Sequence, residues 1–85
     1  MTVAELIALR RSLDFTQAQM AARMGLGARS YQDIEAADRD ADVRERHQLL
    51  AEAVAFLAAA ERGDFALSTP RFRAAALDIA RLIRG

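Results

Sequence analysis

The sequence predicts an all-α protein of five helices, and three features of the chain predict it. Alanine is abundant, while proline occurs once and glycine four times in 85 residues, a balance that favours helix. Apolar side chains recur at spacings of three and four, the period of a helix face. Start and stop signals punctuate the chain: Thr2, Thr16 and Ser68-Thr69-Pro70 as starts, Gly25 and Gly63 as ends.

The first helix is expected from Thr2 to about Ser12. Thr2 stands three residues before Glu5, so hydroxyl and carboxylate can satisfy each other's backbone N–H groups in a capping box. Leu6, Leu9 and Leu13 make a core-facing stripe that Ile7 widens, and Arg10 lies beside it. Asp14 interrupts before the next start.

Thr16 and Gln19 form a second capping box, with Phe15 placed to staple onto Met20. Ala18, Ala21, Ala22 and Arg23 are good helix formers, and Gly25 can take the left-handed conformation that ends a helix. The pattern repeats at once, with a cap at Gly27, Leu26 outside it and Tyr31 where the staple partner belongs. Two capped helices with so few residues between them cannot be collinear, so they form a helix-turn-helix unit. Its inner residues are Met20, Ala21, Met24, Leu26, Tyr31 and Ile34. The outward positions of the third helix are Ala28, Arg29, Gln32 and Asp33.

Ala36 to Asp42 is expected as a polar linker. A long fourth helix follows, from Asp40 or Asp42 to Arg62, with Val43, His47, Leu50, Val54 and Leu57 as one stripe. Leu49, Ala53, Phe56 and Ala60 form a second row, about 100° round the helix. One face docks the helix on the core; the other implies a second partner. Phe65 and Leu67 are expected anchors in the connection. The last helix runs from Pro70 to about Arg84, with Phe72, Ala76, Ile79 and Ile83 on one face and Leu82 close by. Arg81 and Arg84 complement its dipole. Met20, Met24, Phe56 and Phe72 are core by spacing.

Composition excludes several classes. There is no cysteine, hence no disulfide framework or thiolate metal site. The opening MTVAELIALRRS has too short an apolar run for a signal peptide, and nothing approaches the roughly 18 apolar residues of a membrane span, so a cytoplasmic protein is expected. His47, the only histidine, sits on an apolar stripe, which suggests packing rather than ligation. Asp38, Asp40 and Asp42 alternate as in a calcium loop, but Val43 and Leu49 stand where its glycine and closing glutamate belong. No nucleophile with its partners and no glycine-rich phosphate loop is present. No catalysis, cofactor or small-molecule ligand is expected.

Charge is neutral overall, with twelve arginines against twelve acidic residues. Residues 1–38 carry −1 and residues 65–85 carry +3. Phosphate neutralisation supplies most non-specific affinity for DNA, so a chain of this balance would bind it weakly as a monomer.

Thr16-Gln17-x-x-Met20-Ala21-x-x-Met24-Gly25-Leu26-Gly27-x-x-x-Tyr31-x-x-Ile34-Glu35 resembles the TQxxLAxxLGVSxxxIxxIE pattern of lambda-repressor/Cro-type (XRE-like) DNA-binding proteins. The match covers Leu6 to about Ala37. Met20 and Met24 replace leucines, Tyr31 a β-branched residue, and Gly27 a Ser or Thr cap. The resemblance implies a five-helix lambda-repressor-like domain, with its helix-turn-helix core in 2–37 and packing and dimerisation helices in 40–84. It implies an ion pair between Arg10 and Glu35, and double-stranded DNA as partner. Base contacts then fall to Ala28, Arg29 and Asp33, with Gln32 at the margin, and a phosphate contact to Gln17.

Side-chain chemistry suits those places. Arg29 can donate two parallel hydrogen bonds to guanine, Gln32 can pair with adenine, and Asp33 can accept from cytosine N4 or orient Arg29. Arg11, Arg23 and Arg39 are candidates for phosphate contacts that carry no sequence preference. The expectation is a homodimeric repressor on an inverted repeat, paired through its C-terminal helices. The alternative is a protein–protein adaptor or antitoxin-like module that keeps this fold and binds a partner through helices 4 and 5.

Overall fold

A computed structural model describes all 85 residues, Met1–Gly85. It is all-helical: α1 (Val3–Ser12), α2 (Gln17–Met24), α3 (Ala28–Ala36), α4 (Glu45–Arg62), a 3-10 turn (Phe65–Leu67) and α5 (Pro70–Arg84). No helix is long and apolar enough to cross a membrane.

The local signals act where they stand. Both capping boxes close, Thr2 with Glu5 and Thr16 with Gln19. Gly25 adopts φ 74° and lets the Leu26 N–H reach back to the Ala21 carbonyl at 2.9 Å, which turns the chain into α3. Gly63, at φ 65°, ends α4 the same way, with the Asp64 N–H on the Ala59 carbonyl at 3.0 Å. Any side chain at either glycine would meet the left-handed penalty. Asp14, between α1 and α2, takes φ 59°, which a short polar residue tolerates.

The start of α4 differs from expectation: it begins at Glu45, not at Asp40 or Asp42. Residues 39–43 form a turn and an isolated bridge, Asp42 to Thr2, held by the beginning of the chain. The Val3 N–H donates to the Ala41 carbonyl at 2.9 Å, the Ala4 N–H to the Arg39 carbonyl at 3.1 Å, and the Val43 N–H to the Met1 carbonyl at 2.8 Å. The first N–H groups of a helix lack intrahelical partners. Here the carbonyls of Arg39 and Ala41, distant in sequence, supply them, and that use keeps this turn out of α4.

The core consists of fourteen buried residues drawn from α1 to α4 and their connections, with Tyr31, Leu6, Leu13, Met20 and Val3 fully enclosed. The inward face of α4 corrects the sequence expectation. Ala51, Ala55, Ala58 and Ala59 are 0–5% exposed, whereas Leu49, Leu50 and Leu57 stand 37–58% exposed. Of the predicted stripe, Val43 and Val54 are buried and His47 is half-buried. Small side chains let α4 lie close against α2 and α1, and the larger ones are left for a second layer.

Only part of that layer is built. Phe56 and Phe72, expected in the core, are half-buried and pack on each other, with ring centroids 5.5 Å apart and planes tilted by 40°. Leu67 packs on the core, but Phe65 is 48% exposed. No residue of α5 is buried, and Leu82 and Ile83 are 81% and 80% exposed. The molecule is accordingly elongated, 46 × 22 × 19 Å.

Candidate functional site

Three elements converge on Glu35, in the last turns of α3. Arg10 of α1 donates from Nε to Glu35 Oε2 at 2.7 Å and from Nη2 to Oε1 at 3.0 Å. Its Nη1 donates to the Phe15 carbonyl at 2.9 Å, in the turn before α2. Gln17 of α2 donates from Nε2 to Glu35 Oε1 at 3.0 Å. Both partners of the ion pair are withdrawn from water, with side chains 13% and 5% exposed. Burial by itself would raise the Glu35 pKa, but the hydrogen bonds from Arg10 and Gln17 outweigh it and hold the carboxyl below its usual range.

Tyr31 lies under this cluster, fully buried. Its hydroxyl is near the Glu35 carboxylate, yet no hydrogen bond of ordinary geometry satisfies it. Burial first, and then the neighbouring carboxylate, push the phenol pKa upward. Burial on this side thus fixes the rotation of α3 about its axis. The opposite side carries Ala28, Arg29, Gln32 and Asp33, all exposed. Arg29 and Asp33 face each other one turn apart at 3.5 Å, with side chains 89% and 70% exposed, a pair worth little to stability.

The remaining residues singled out in the sequence fall into two groups. Arg11 and Arg39 are exposed and without ion-pair partners. Arg23 is engaged: it lies 4.7 Å from the centre of the Phe15 ring and 3.4 Å from Glu61. Gln17 spends one amide N–H on Glu35, leaving the second available. His47 lines an open groove of about 460 Å³ with Ser30, Asp33, Asp42 and Arg44. Burial first, then the charges of Arg46 and Arg44, lower its pKa.

Two features had escaped the sequence reading. Arg62 reaches from the end of α4 to the Leu13 carbonyl at 2.7 Å, and its guanidinium sits 5.2 Å from the Phe15 ring, which is thus flanked by two cations. Glu52 is 4% exposed and accepts from Gln48 (3.0 Å), Arg71 (3.0 Å) and the Thr69 hydroxyl. Thr69 is therefore not a side-chain cap for α5, as its place before Pro70 suggested. The position of Glu52 within the alanine arc of α4 was the available signal: a charge one turn before Ala55 and two turns before Ala59 faces inward with them.

Compared with known proteins, the chain matches no family model, no curated protein and no solved structure.

Proposed function

We propose that this chain is a small lambda-repressor-like transcription regulator that binds a specific double-stranded DNA sequence as a homodimer. One observation supports this above others. Helix α3 is locked on one side through Tyr31 and Glu35, while Ala28, Arg29, Gln32 and Asp33 on its other side do almost nothing for the fold. A rigidly seated helix with a free polar face suits insertion into a major groove, with α2 across the backbone.

In this reading α2 and α3 are the helix-turn-helix unit. Arg29 donates to guanine O6 and N7, Gln32 pairs with adenine, Asp33 accepts from cytosine N4, and Ala28 meets a thymine methyl. The second amide N–H of Gln17 takes a phosphate, as do Arg11, Arg39 and, on leaving Glu61, Arg23. Pairing through α4 and α5 would set two α3 helices about one DNA turn apart on an inverted repeat, the arrangement of a simple repressor.

A second reading has its own support. Asp33, Asp38, Asp40 and Asp42 cluster at the end of α3 and beyond it, and eight large apolar residues stand exposed, which suits an adaptor or antitoxin-like module. Selection of bound sites from a random duplex pool, followed by titration at increasing salt, separates the two. A regulator enriches one sequence and loses affinity steeply with salt. No enrichment and a flat salt response would leave the adaptor.

A further inference from the structure

The end of α5 and the end of α4 offer complementary halves of one contact that a single copy cannot make. At the close of α4, Phe56, Ala59, Ala60, Gly63, Phe65 and Ala76 line an apolar groove of about 350 Å³. Helix α5 crosses this groove at Ala76 and continues beyond it. Ile83 lies seven residues past Ala76, on nearly the same face and about 10 Å farther along the axis, so it cannot turn back into its own groove. It stands 80% exposed, with Leu82 at 81% and Ile79 at 57%.

We propose that the projecting end of α5 docks in this groove on a second copy of the chain, and the second copy's α5 docks in return. Leu82 and Ile83 seat against Phe56 and Phe65 across the dimer. The inference rests on the homodimer in the reading above and specifies its contact.

Three observations select a second copy as the occupant. Phe65 of the groove and Ile79, Leu82 and Ile83 of the projection stand 48–81% exposed, apolar surface that a reciprocal contact withdraws from water on both copies. Charge is complementary: Arg84 has no ion-pair partner, and Asp64, beside Gly63 at the groove, holds only the Ala66 backbone N–H. Projection and groove also belong to one patch of the surface, so a two-fold axis satisfies both at once and closes the assembly as a dimer.

Light scattering and sedimentation from micromolar to millimolar protein, without DNA, test the contact. The unaltered chain should dimerise. Leu82→Glu with Ile83→Glu removes the projection, and Ala60→Trp fills the groove at an exposed position; each should weaken self-association about ten-fold or more. Mixed together, the two variants retain one intact contact between them and should associate more tightly than either alone. Arg84→Glu and Asp64→Arg, which touch no core residue, should behave likewise as a charge-swapped pair. A chain that stays monomeric throughout, or mixtures that never recover association, would overturn the proposal. Because DNA is absent, that result is distinct from loss of the DNA-binding reading, which shows in the salt titration alone.

Discussion

Arg10 and Glu35, twenty-five residues apart, meet through two parallel hydrogen bonds of 2.7 and 3.0 Å, and this pair ties α1 to the end of α3. The same carboxylate holds Gln17, and the same guanidinium holds the Phe15 carbonyl, so one buried pair sets the relative placement of three helices.

Removing one member leaves the other charged and without its partner. Arg10→Ala is expected to lower unfolding free energy by about 3–5 kcal/mol, the usual cost of breaking a buried pair from one side. Urea unfolding would show it as a lower midpoint with unchanged slope. A loss under about 1 kcal/mol, in the range of surface pairs, would mean that the pair only decorates the fold.

Arg29→Ala should do the reverse. Its side chain is 89% exposed and its only partner is Asp33 on the same helix, so the melting temperature should move by no more than about a degree or two. Under the proposed regulator reading, specific DNA binding should be lost. If melting temperature and binding fell together, Arg29 would be a structural residue and the base-contact assignment would be withdrawn.

Arg62→Ala should destabilise by roughly 1–3 kcal/mol, because the Leu13 carbonyl loses a charged donor at a half-buried site and Phe15 loses one flanking cation. Thermal or urea unfolding measures it. Arg62→Lys should recover only part, since an ammonium lacks the planar face that lies on the ring.

Stability should fall as pH falls, in two stages. His47 has its pKa lowered in the fold, so the stability it contributes is present above about 6.5 and erodes as pH drops through the histidine range. Glu35 and Glu52 are also held low, burial being outweighed by their hydrogen bonds. Their contribution is complete above the usual carboxylate range and is lost as pH drops below about 4. Unfolding midpoints measured across pH should show a shallow decline, then a steep one. His47→Gln should remove the first and leave the second.

These residues also mark how far the sequence could be read. Thr2, Thr16, Gly25 and Gly63 act on backbone groups within a few positions of themselves, so their helix ends were legible. Arg29, Gln32 and Asp33 were legible as an outer face because Tyr31 and Ile34 define the inner one by period. The beginning of α4 was not, because the groups that hold residues 39–43 out of the helix belong to Met1, Val3 and Ala4. Nor was the engagement of Arg23, which depends on Glu61 and Phe15 arriving from elsewhere.

By itself, then, the sequence determined that there are five helices and fixed the ends set by Thr2, Thr16, Gly25 and Gly63, since such caps and period-3.6 patterns are short-range properties of the chain. Tertiary structure decided which face of α4 turns inward. Leucines and alanines both follow helical spacing, but only the alanines allow the backbone to approach α1 and α2 closely. That choice placed Glu52 among its partners and turned the larger side chains of α4 outward, while α5 was left without one buried residue.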